Sequence, residues 1–502
     1  MKAQVTAHSR YVIADIDNRL YGSFLEHLGR AVYTGIYEPD HPTADEDGMR
    51  RDVIELVREL QTPICRYPGG NFVSAYNWED GIGPKEDRPT RLDLAWRTSE
   101  SNHVGIHEYA DWAEKANTEM MLALNLGSRD LDAARAFVEY INHPGGSYWS
   151  DLRKKNGRAD PWGVKVLCLG NEMDGPWQIG HKSAAAYGHL ANETAKALRA
   201  FDKSLELFVC GSSHSDMPSY PQWEATVLEE TYDQVDFISL HMYFENHEKN
   251  TAEFLALPEK LDRYIGTVSG VIDYVKSKSR SKRDVKISFD EWNVWYHERK
   301  KDSKRMAEWD WPHAPALLED IYNFEDVLQV GCILNTFIRR SDVVRIACIA
   351  QLVNVIAPIM TAPGGPAWRQ TIYYPFKLAS TMGRGTALQL DVDSPTYDAD
   401  IASSVKYLDI AGVHNSDAGT LTFFAVNKNG DEPMEVDLAL ERFGSPKSVE
   451  HTLIRNDDLE ARNSKADPDN VVPQKGDGAK IGGPGLVLTL PAHSYSVIRV
   501  QL

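Results

Sequence analysis

Eight short apolar segments alternate with amphipathic segments between about residue 20 and residue 375. The apolar runs lack helical spacing, which is typical of strands that are buried on both faces of a parallel sheet. The intervening segments have helical spacing; in 48–62, for example, Val53 and Leu60 fall on one face. This alternation predicts an α/β fold, a (β/α)8 TIM barrel. The candidate strands are Tyr21–Glu26, Pro63–Tyr67, Met121–Leu126, Val164–Leu169, Leu207–Cys210, Val235–Leu240, Lys286–Phe289 and roughly Ile346–Val355.

The chain of 502 residues is longer than one hydrophobic core usually supports, and its pattern changes near residue 376. Beyond that point short β-rich segments are separated by turn sequences, which predicts a C-terminal antiparallel β-sandwich. Residues 1–15 include a further strand that is expected to join the sandwich, so the barrel is assigned to 16–375 and the sandwich to 376–502. The polar stretch 456–482 is predicted to be a long exposed loop. The candidate sandwich strands are Val405–Val413, Thr420–Lys428, Met434–Leu440, His451–Ile454, Leu486–Leu490 and Tyr495–Leu502.

The formal net charge of −19 argues against nucleic acid or an anionic membrane as a partner, because both repel an acidic surface. The first residues contain no signal-like apolar region and no run of 18 apolar residues exists, so a cytoplasmic protein is expected. The five cysteines lack CxxC spacing and are interpreted as buried free thiols. Without HExxH, Walker A, GxSxG or Rossmann motifs, the sequence predicts no metal and no cofactor.

Two of the apolar runs lead into carboxylates, Glu172 in 166–174 and Glu291 in 287–296. The C-terminal ends of barrel strands carry the chemistry of this fold. The two residues are 119 positions apart, which fits three or four βα units of about 30 residues each. For either residue alone, a surface charge is an equally good interpretation. Together they predict a carboxylate pair of the kind that cleaves glycosidic bonds.

Two further segments carry candidate polar ligands at strand ends. Glu26 ends the first candidate strand, where it would bind sugar hydroxyls or, equally well, form a salt bridge. The second strand ends in Arg66, followed by a Pro-Gly-Gly turn and Asn71. Arg66 would keep a neighbouring carboxylate ionised, and Asn71 would project into the strand-end crevice. The turn by itself is a common structural element and indicates little.

Aromatic residues also lie near the predicted strand ends. Tyr243, in the segment that begins at His241, is a candidate hydrogen-bond donor to a catalytic carboxylate, although a structural tyrosine is more common. Tryptophans in such positions are candidate platforms for sugar, although most aromatic residues near strands belong to the core. These tryptophans are Trp96, Trp177, Trp292 and Trp295.

Taken together, several segments resemble the family 51 glycoside hydrolases, the α-L-arabinofuranosidases. The resemblance extends in order along the whole chain, and the first segment is highly specific. It implies a (β/α)8 barrel with a sandwich built from the C-terminus and the first residues, and retaining hydrolysis of terminal α-L-arabinofuranosyl bonds. The matching segments are Tyr21–Pro39, Arg66–Pro84, Leu169–Trp177, Asp290–Tyr296 and Ala350–Pro358.

The same resemblance implies a role for individual residues. Glu172 is expected to be the general acid/base, protonated at rest, and Glu291 the ionised nucleophile, with their carboxyls about 5–5.5 Å apart. Ligands of the sugar hydroxyls and of the nucleophile are Glu26, Asn71, Asn171, Tyr243 and Gln351. Trp96 and Trp295 are expected to form the aromatic wall, with Arg66 and His241 supporting the carboxylates.

The resemblance also implies an arabinose-containing oligosaccharide or polysaccharide, such as arabinan or arabinoxylan, as the substrate. Many bacterial members are intracellular hexamers, so a homo-oligomer is expected. Two alternatives stay open. One is a barrel hydrolase of another linkage, such as a β-xylosidase or an endoglucanase, and the other is a carbohydrate-binding protein with an inert barrel.

Overall fold

The computed structural model describes residues 1–502, and eight parallel strands close into a barrel in sequence order. Every neighbouring pair is parallel, including the pair between the eighth strand and the first that closes the barrel. The TIM-barrel prediction is confirmed. The barrel strands are β1 (Gly22–Phe24), β2 (Ile64–Tyr67), β3 (Glu119–Ala123), β4 (Val166–Leu169), β5 (Glu206–Cys210), β6 (Phe237–Phe244), β7 (Lys286–Val294) and β8 (Val344–Ala350).

Helices surround the barrel, and most of them are amphipathic and bury one face. The exceptions are Phe324–Arg339, which is buried on nearly every side, and Arg299–Ala307, which buries only Asp302. The helix Arg51–Leu60 buries Val53 and Leu60, as the spacing predicts. Asp130 caps the helix that follows it by accepting a hydrogen bond from the backbone N–H of Asp132. The α-helices are Arg51–Leu60, Ile106–Ala116, Leu131–Asn142, Tyr148–Lys155, Ala184–Phe201, Gln222–Thr231, Thr251–Ala256, Pro258–Ser279, Arg299–Ala307, Phe324–Arg339 and Tyr373–Met382.

Three predicted strand ends are wrong in a way that matters for function. β6 and β7 run on to Phe244 and Val294, so residues expected at strand ends lie inside the strands. β8 stops at Ala350 and not near residue 355, because the backbone of Gln351 turns to bond with Ile356. The apolar stretch before β8 is largely helix.

A β-bulge interrupts β7 next to Asp290 and Glu291. Ser288 pairs with Ser239 and Glu291 with His241, so β7 contains one residue more than β6 between these points. The pairing with β8 shifts at the same place. A bulge breaks the alternation of side chains between the two faces of a sheet. As a result Asp290 and Glu291, although adjacent, both contact Arg66.

Two sheets form the second unit, and strands from both ends of the chain enter it. Lys2–His8 pairs with Met434–Glu441, and Val12–Asp15 pairs with Thr386–Leu388. The Lys2–His8 pairing with Met434–Glu441 is parallel, in contrast to the antiparallel pairing expected throughout. One sheet comprises Asp391–Asp393, Lys2–His8, Met434–Glu441, Gly485–Leu490 and Ala479–Gly482; the other comprises Val12–Asp15, Thr386–Leu388, Leu408–Asn415, Thr420–Asn427, Ser494–Gln501, Ser448–Ile454 and Gln474–Lys475.

The stretch 456–482 is not simply an exposed loop. It contains two short strands, and Val471 and Asn463 are buried and bonded to each other. Arg462 forms an isolated β-bridge with Asn323, which lies at the start of the helix Phe324–Arg339. The segment therefore packs against the barrel. The five cysteines are all free and buried, as predicted. None of the helices has both the length and the apolar content that a bilayer-spanning segment needs.

Candidate active site

Glu172 and Glu291 meet at the C-terminal end of the barrel, with His241 next to both. The Nδ1 atom of His241 lies 3.0 Å from Oε1 of Glu172 and 3.6 Å from Oε2 of Glu291. A carboxylate oxygen of Glu172 and one of Glu291 lie within 4.8 Å of each other. The two residues that the sequence singled out therefore share one small site.

Glu291 is held by two donors on opposite sides. Nη1 of Arg66 donates to Oε1 at 2.7 Å, and the hydroxyl of Tyr243 donates to Oε2 at 2.8 Å. Tyr243 and His241 are two residues apart on β6, so both side chains point to the same face of the sheet. The side chain of Glu291 is only 6% exposed. Such charge-assisted hydrogen bonds favour an ionised, rigidly oriented carboxylate.

Asp290 lies directly below this pair and was not singled out from the sequence. It is completely buried, with Oδ2 3.2 Å from Nε of Arg66 and Oδ1 3.4 Å from Nε2 of His241. Ser239 also donates to it. Strict alternation along β7 would have turned Asp290 and Glu291 to opposite faces, and the bulge lets both contact Arg66. Asp290 balances the charges of Arg66 and His241, the two cations beside Glu172 and Glu291.

Glu172 differs from Glu291 in its backbone and in its neighbours. It follows β4 by three residues and has a left-handed backbone, with φ of +44°. Oε1 faces His241, and Oε2 accepts a hydrogen bond of 2.7 Å from the indole N–H of Trp177. Trp177 is 45% exposed, so one edge of Glu172 lies close to solvent.

The pKa shifts of Glu172 and Glu291 differ from those expected from the sequence. Burial lowers the pKa of His241, but Glu291, Asp290 and Glu172 outweigh it and raise that pKa to about 10. Burial raises the pKa of Glu291 above its ordinary value, in spite of the charges of His241 and Arg66. Burial also acts on Glu172, but hydrogen bonds from His241 and Trp177 outweigh it and lower its pKa. Without substrate, the pKa of Glu172 is thus lowered and that of Glu291 raised, which is the reverse of the expected order.

Glu26 forms the centre of a second polar cluster beside the pair. Its Oε1 accepts from the backbone N–H of Phe72 and from the indole of Trp96, both at 2.9 Å. Gln351 donates to Oε2 at 3.3 Å and accepts from the backbone N–H of Glu26 at 3.0 Å. Burial raises the pKa of Glu26 to about 8 against these donors.

The Pro-Gly-Gly turn has a role beyond bending the chain. A Cβ atom at Gly70 would lie 2.4 Å from Oε2 of Glu26, and one at Gly69 would lie 2.7 Å from its Cγ. The backbone after β2 therefore packs directly against the Glu26 carboxylate. This contact explains why two glycines stand here.

The remaining predicted ligands lie around the same site. Asn171 is buried and accepts from Nη2 of Arg66 at 2.6 Å. The side chain of Asn71 forms no hydrogen bond within the protein, and its backbone carbonyl accepts from Gln178 at 3.5 Å. Trp295 packs edge-to-face on Tyr243, with ring centroids 5.0 Å apart.

One candidate platform lies elsewhere. Trp292 is fully buried and packs against Phe337 behind the barrel wall, so it belongs to the core. Trp177, by contrast, contacts the carboxylate of Glu172 directly. It lies in the loop after β4, where the alternation of strand residues predicts no contacts.

Comparison with known proteins decides the family. A model described as the α-L-arabinofuranosidase 1 domain matches residues 56–265, and one described as the α-L-arabinofuranosidase C-terminal domain matches residues 290–494. The chain is 53% identical, over its whole length and 99% of the relative, to "Intracellular exo-alpha-(1->5)-L-arabinofuranosidase 1" of Bacillus subtilis. The chain belongs to glycoside hydrolase family 51. The resemblance noted in the sequence is confirmed.

Solved family 51 structures have the same architecture throughout. A family 51 α-L-arabinofuranosidase from Bifidobacterium longum superposes with a TM-score of 0.94 at 42% identity, covering 99% of both chains. An arabinose complex of the Thermotoga maritima α-L-arabinofuranosidase gives a TM-score of 0.89 at 32% identity, covering 100% of both chains. This chain is accordingly a glycoside hydrolase with the family 51 barrel and β-sandwich.

The centre of this family 51 site is an ion-pair network. Glu172, His241 and Glu291 offer three ligand-type atoms within 4.8 Å, a set that could hold a metal ion. The cations of Arg66 and the His241 imidazolium already supply positive charge to these carboxylates. The reactive groups of the site are therefore the carboxyl groups of Glu172 and Glu291, which are held in different environments.

Proposed function

We propose that this family 51 enzyme hydrolyses terminal, non-reducing α-L-arabinofuranosyl bonds with retention, by double displacement. Glu291 attacks the anomeric carbon while Glu172 protonates the departing oxygen, which yields a covalent arabinosyl ester and the free leaving group. Glu172 then takes a proton from water, which hydrolyses the ester and restores both carboxyls.

The short distance between the two carboxyls carries this proposal. Oxygens of Glu172 and Glu291 lie within 4.8 Å. Retaining enzymes hold their carboxyls about 5–5.5 Å apart, whereas inverting enzymes need about 6.5–9.5 Å to fit a water between sugar and base. This spacing favours direct attack by Glu291.

The surroundings of the two carboxyls support the division of roles. Arg66 and Tyr243 orient Glu291 for attack. Glu172 lies against the half-exposed Trp177, on the side from which a leaving group can depart. His241 carries a proton 3.0 Å from Glu172 in the free site. We infer that this proton passes to Glu172 when substrate binds, which restores the order that the reaction needs.

Glu26 is proposed as the main ligand of the sugar hydroxyls, together with Asn71, Asn171 and Gln351. Its carboxylate is oriented by Trp96 and by backbone, so it needs no reorganisation when a sugar binds. Trp96 and Trp295 are proposed to form the aromatic wall of the subsite.

The substrates proposed are arabinan, arabinoxylan and the oligosaccharides derived from them. The relatives offer two linkages to test. The Bacillus subtilis relative is named for the α-(1→5) linkage, and a Bifidobacterium longum relative, 45% identical over the whole chain and 97% of its own length, for α-(1→6). We expect turnover of an aryl α-L-arabinofuranoside and of an α-(1→5)-linked disaccharide. Faster hydrolysis of an aryl β-xyloside would refute the proposal.

Removal of the acid tests the role of Glu172. Glu172→Ala should lower kcat/KM by about 10²–10⁴-fold for substrates with poor leaving groups. A dinitrophenyl arabinofuranoside should lose much less, because its leaving group departs without protonation. Glu193→Ala, an exposed glutamate on the helix Ala184–Phe201, serves as the matched control. Equal losses for both substrates would show that Glu172 is not the acid.

Trapping the covalent intermediate tests the role of Glu291. A mechanism-based arabinosyl inhibitor should label the peptide 285–298, and Glu291→Gln should remain unlabelled. Label in any other peptide would refute the double displacement with Glu291 as nucleophile.

Assembly and location remain proposals of the family resemblance. We propose a homohexamer that acts inside the cell, in keeping with the intracellular relatives. Light scattering of the purified protein should give six times the 56.4 kDa chain mass. A monomeric mass at micromolar concentration would refute it.

A further inference from the structure

In the free enzyme the indole of Trp177 occupies one oxygen of the catalytic acid. Its N–H donates to Oε2 of Glu172 at 2.7 Å, while Oε1 faces His241 at 3.0 Å. Both oxygens of Glu172 are therefore engaged as acceptors. Neither is free to present a proton to a substrate.

The mechanism requires one of these oxygens to face the glycosidic bond. Oε1 points to His241, which also lies 3.6 Å from Glu291 and 3.4 Å from Asp290, deep in the barrel. Oε2 lies on the solvent side of Glu172, next to the half-exposed Trp177. The position of the Trp177 N–H is thus the position that the glycosidic oxygen has to take.

Trp177 is not packed as a core residue would be. It is 45% exposed, and its ring lies over Gly175, where a Cβ atom would come within 2.5 Å of the indole. His214 lies parallel to the ring with centroids 6.1 Å apart. The hydrogen bond to Glu172 is the polar contact that holds the indole in place.

We propose that Trp177 is a positioning residue that holds Glu172 ionised in the free enzyme and leaves Oε2 when the glycosidic oxygen arrives. This inference rests on the proposed role of Glu172 as acid. Loss of the indole donor on substrate binding removes one contact that stabilises the anion, so Glu172 can take up the proton that the reaction needs.

Trp177 forms no hydrogen bond to the other charged groups around Glu172, so we expect these groups to keep their positions when it is changed. Those facing it are His241 on β6, Glu291 on β7, Arg66 on β2 and Asp174 in its own loop. Asp174 is fixed by Ser213, whose backbone N–H donates to it. A change in the titration of Glu172 can thus be assigned to the indole.

Trp177→Phe removes the donor and keeps an aromatic ring. We expect the pKa of Glu172 in the free enzyme, followed by NMR titration of 13C-labelled glutamate, to rise by about one to two pH units, because a hydrogen bond to the anion is lost. The basic limb of kcat, which reports the enzyme–substrate complex, should stay in place, because the indole has already left Glu172 there. A poor leaving group is used so that protonation limits the rate.

Two further variants make the result decisive. Trp177→Gln keeps an N–H donor and should return the pKa of Glu172 towards wild type. Trp149→Phe, which removes an indole that packs on Tyr148 and Trp78, should change neither the pKa of Glu172 nor the kcat limb. A kcat limb that shifts as far as the pKa of Glu172 would show that Trp177 stays bonded throughout, and no shift in either would show that it does not control Glu172; both overturn the proposal. The Glu172→Ala leaving-group test remains independent of these outcomes.

Discussion

Replacement of Gly70 by alanine adds one methyl group against the Glu26 carboxylate. The new Cβ would lie 2.4 Å from Oε2 and 2.7 Å from Cδ of Glu26. Carbon–oxygen contacts of this kind are comfortable at about 3.3 Å, so the carboxylate or the turn has to move by about 0.9 Å.

This displacement is large for a sugar ligand. It would break the 2.9 Å hydrogen bonds from Trp96 and from the backbone of Phe72. A shift of about 1 Å in a positioning group can lower a rate by about 10²-fold, which equals about 2.7 kcal/mol of transition-state stabilisation. We expect the free energy of unfolding to fall by about 1–3 kcal/mol from overpacking.

Steady-state kinetics with an aryl α-L-arabinofuranoside and urea unfolding measure the two effects. Gly270→Ala is the matched control, because a Cβ atom there meets no atom within 4 Å and alanine favours the helix Pro258–Ser279. It should leave kcat/KM unchanged and stabilise by up to about 1 kcal/mol. Wild-type kcat/KM in Gly70→Ala would refute the argument that the glycine turn positions Glu26.

Three other perturbations act on the charged network. Glu291→Gln should retain the fold and lower kcat by roughly 10⁴–10⁶-fold; a loss below tenfold in single-turnover assays would contradict its role as nucleophile. Asp290→Asn should lower the free energy of unfolding by about 3 kcal/mol, because a buried partner of two cations is lost; a urea midpoint like that of wild type would contradict this. The pKa of His241 is raised from 6.5 to about 10, so its stabilisation is complete below pH 6.5 and is lost as the pH rises to 10. Wild type should therefore lose its advantage in unfolding free energy over His241→Asn as the pH rises from 6.5 to 10, by roughly 5 kcal/mol at most. A difference between the two proteins that does not change with pH would refute the raised pKa of His241.

The barrel and the carboxylate pair were accessible from the sequence because their signals are local. Apolar runs without helical spacing identify buried parallel strands, and strands in such a barrel all present their C-terminal ends to one side. Glu172 and Glu291 follow from this rule alone. The spacing of two on β6 likewise places His241 and Tyr243 on one face.

Other features depend on contacts between distant segments and have no local signal. Asp290 and Glu291 face the same site because β7 carries an extra residue relative to its neighbours at this point, and register is a property of paired strands. The glycines after β2 are explained only by the closeness of Glu26, 43 and 44 positions earlier in the chain. The contact between Trp177 and Glu172 also has no local signal, because it depends on how the loop after β4 folds back.

The amino-acid order thus determined the elements, their sequence around the barrel and the two carboxylates, since each depends on side chains that are neighbours along the chain. Only the tertiary structure decided in which direction the pKa of each carboxyl is shifted. Burial, the charges of His241 and Arg66 and the hydrogen bond from Trp177 cause those shifts, and these residues come from two strands and a loop. Electrostatic energies depend on distance in space, which a one-dimensional pattern does not contain.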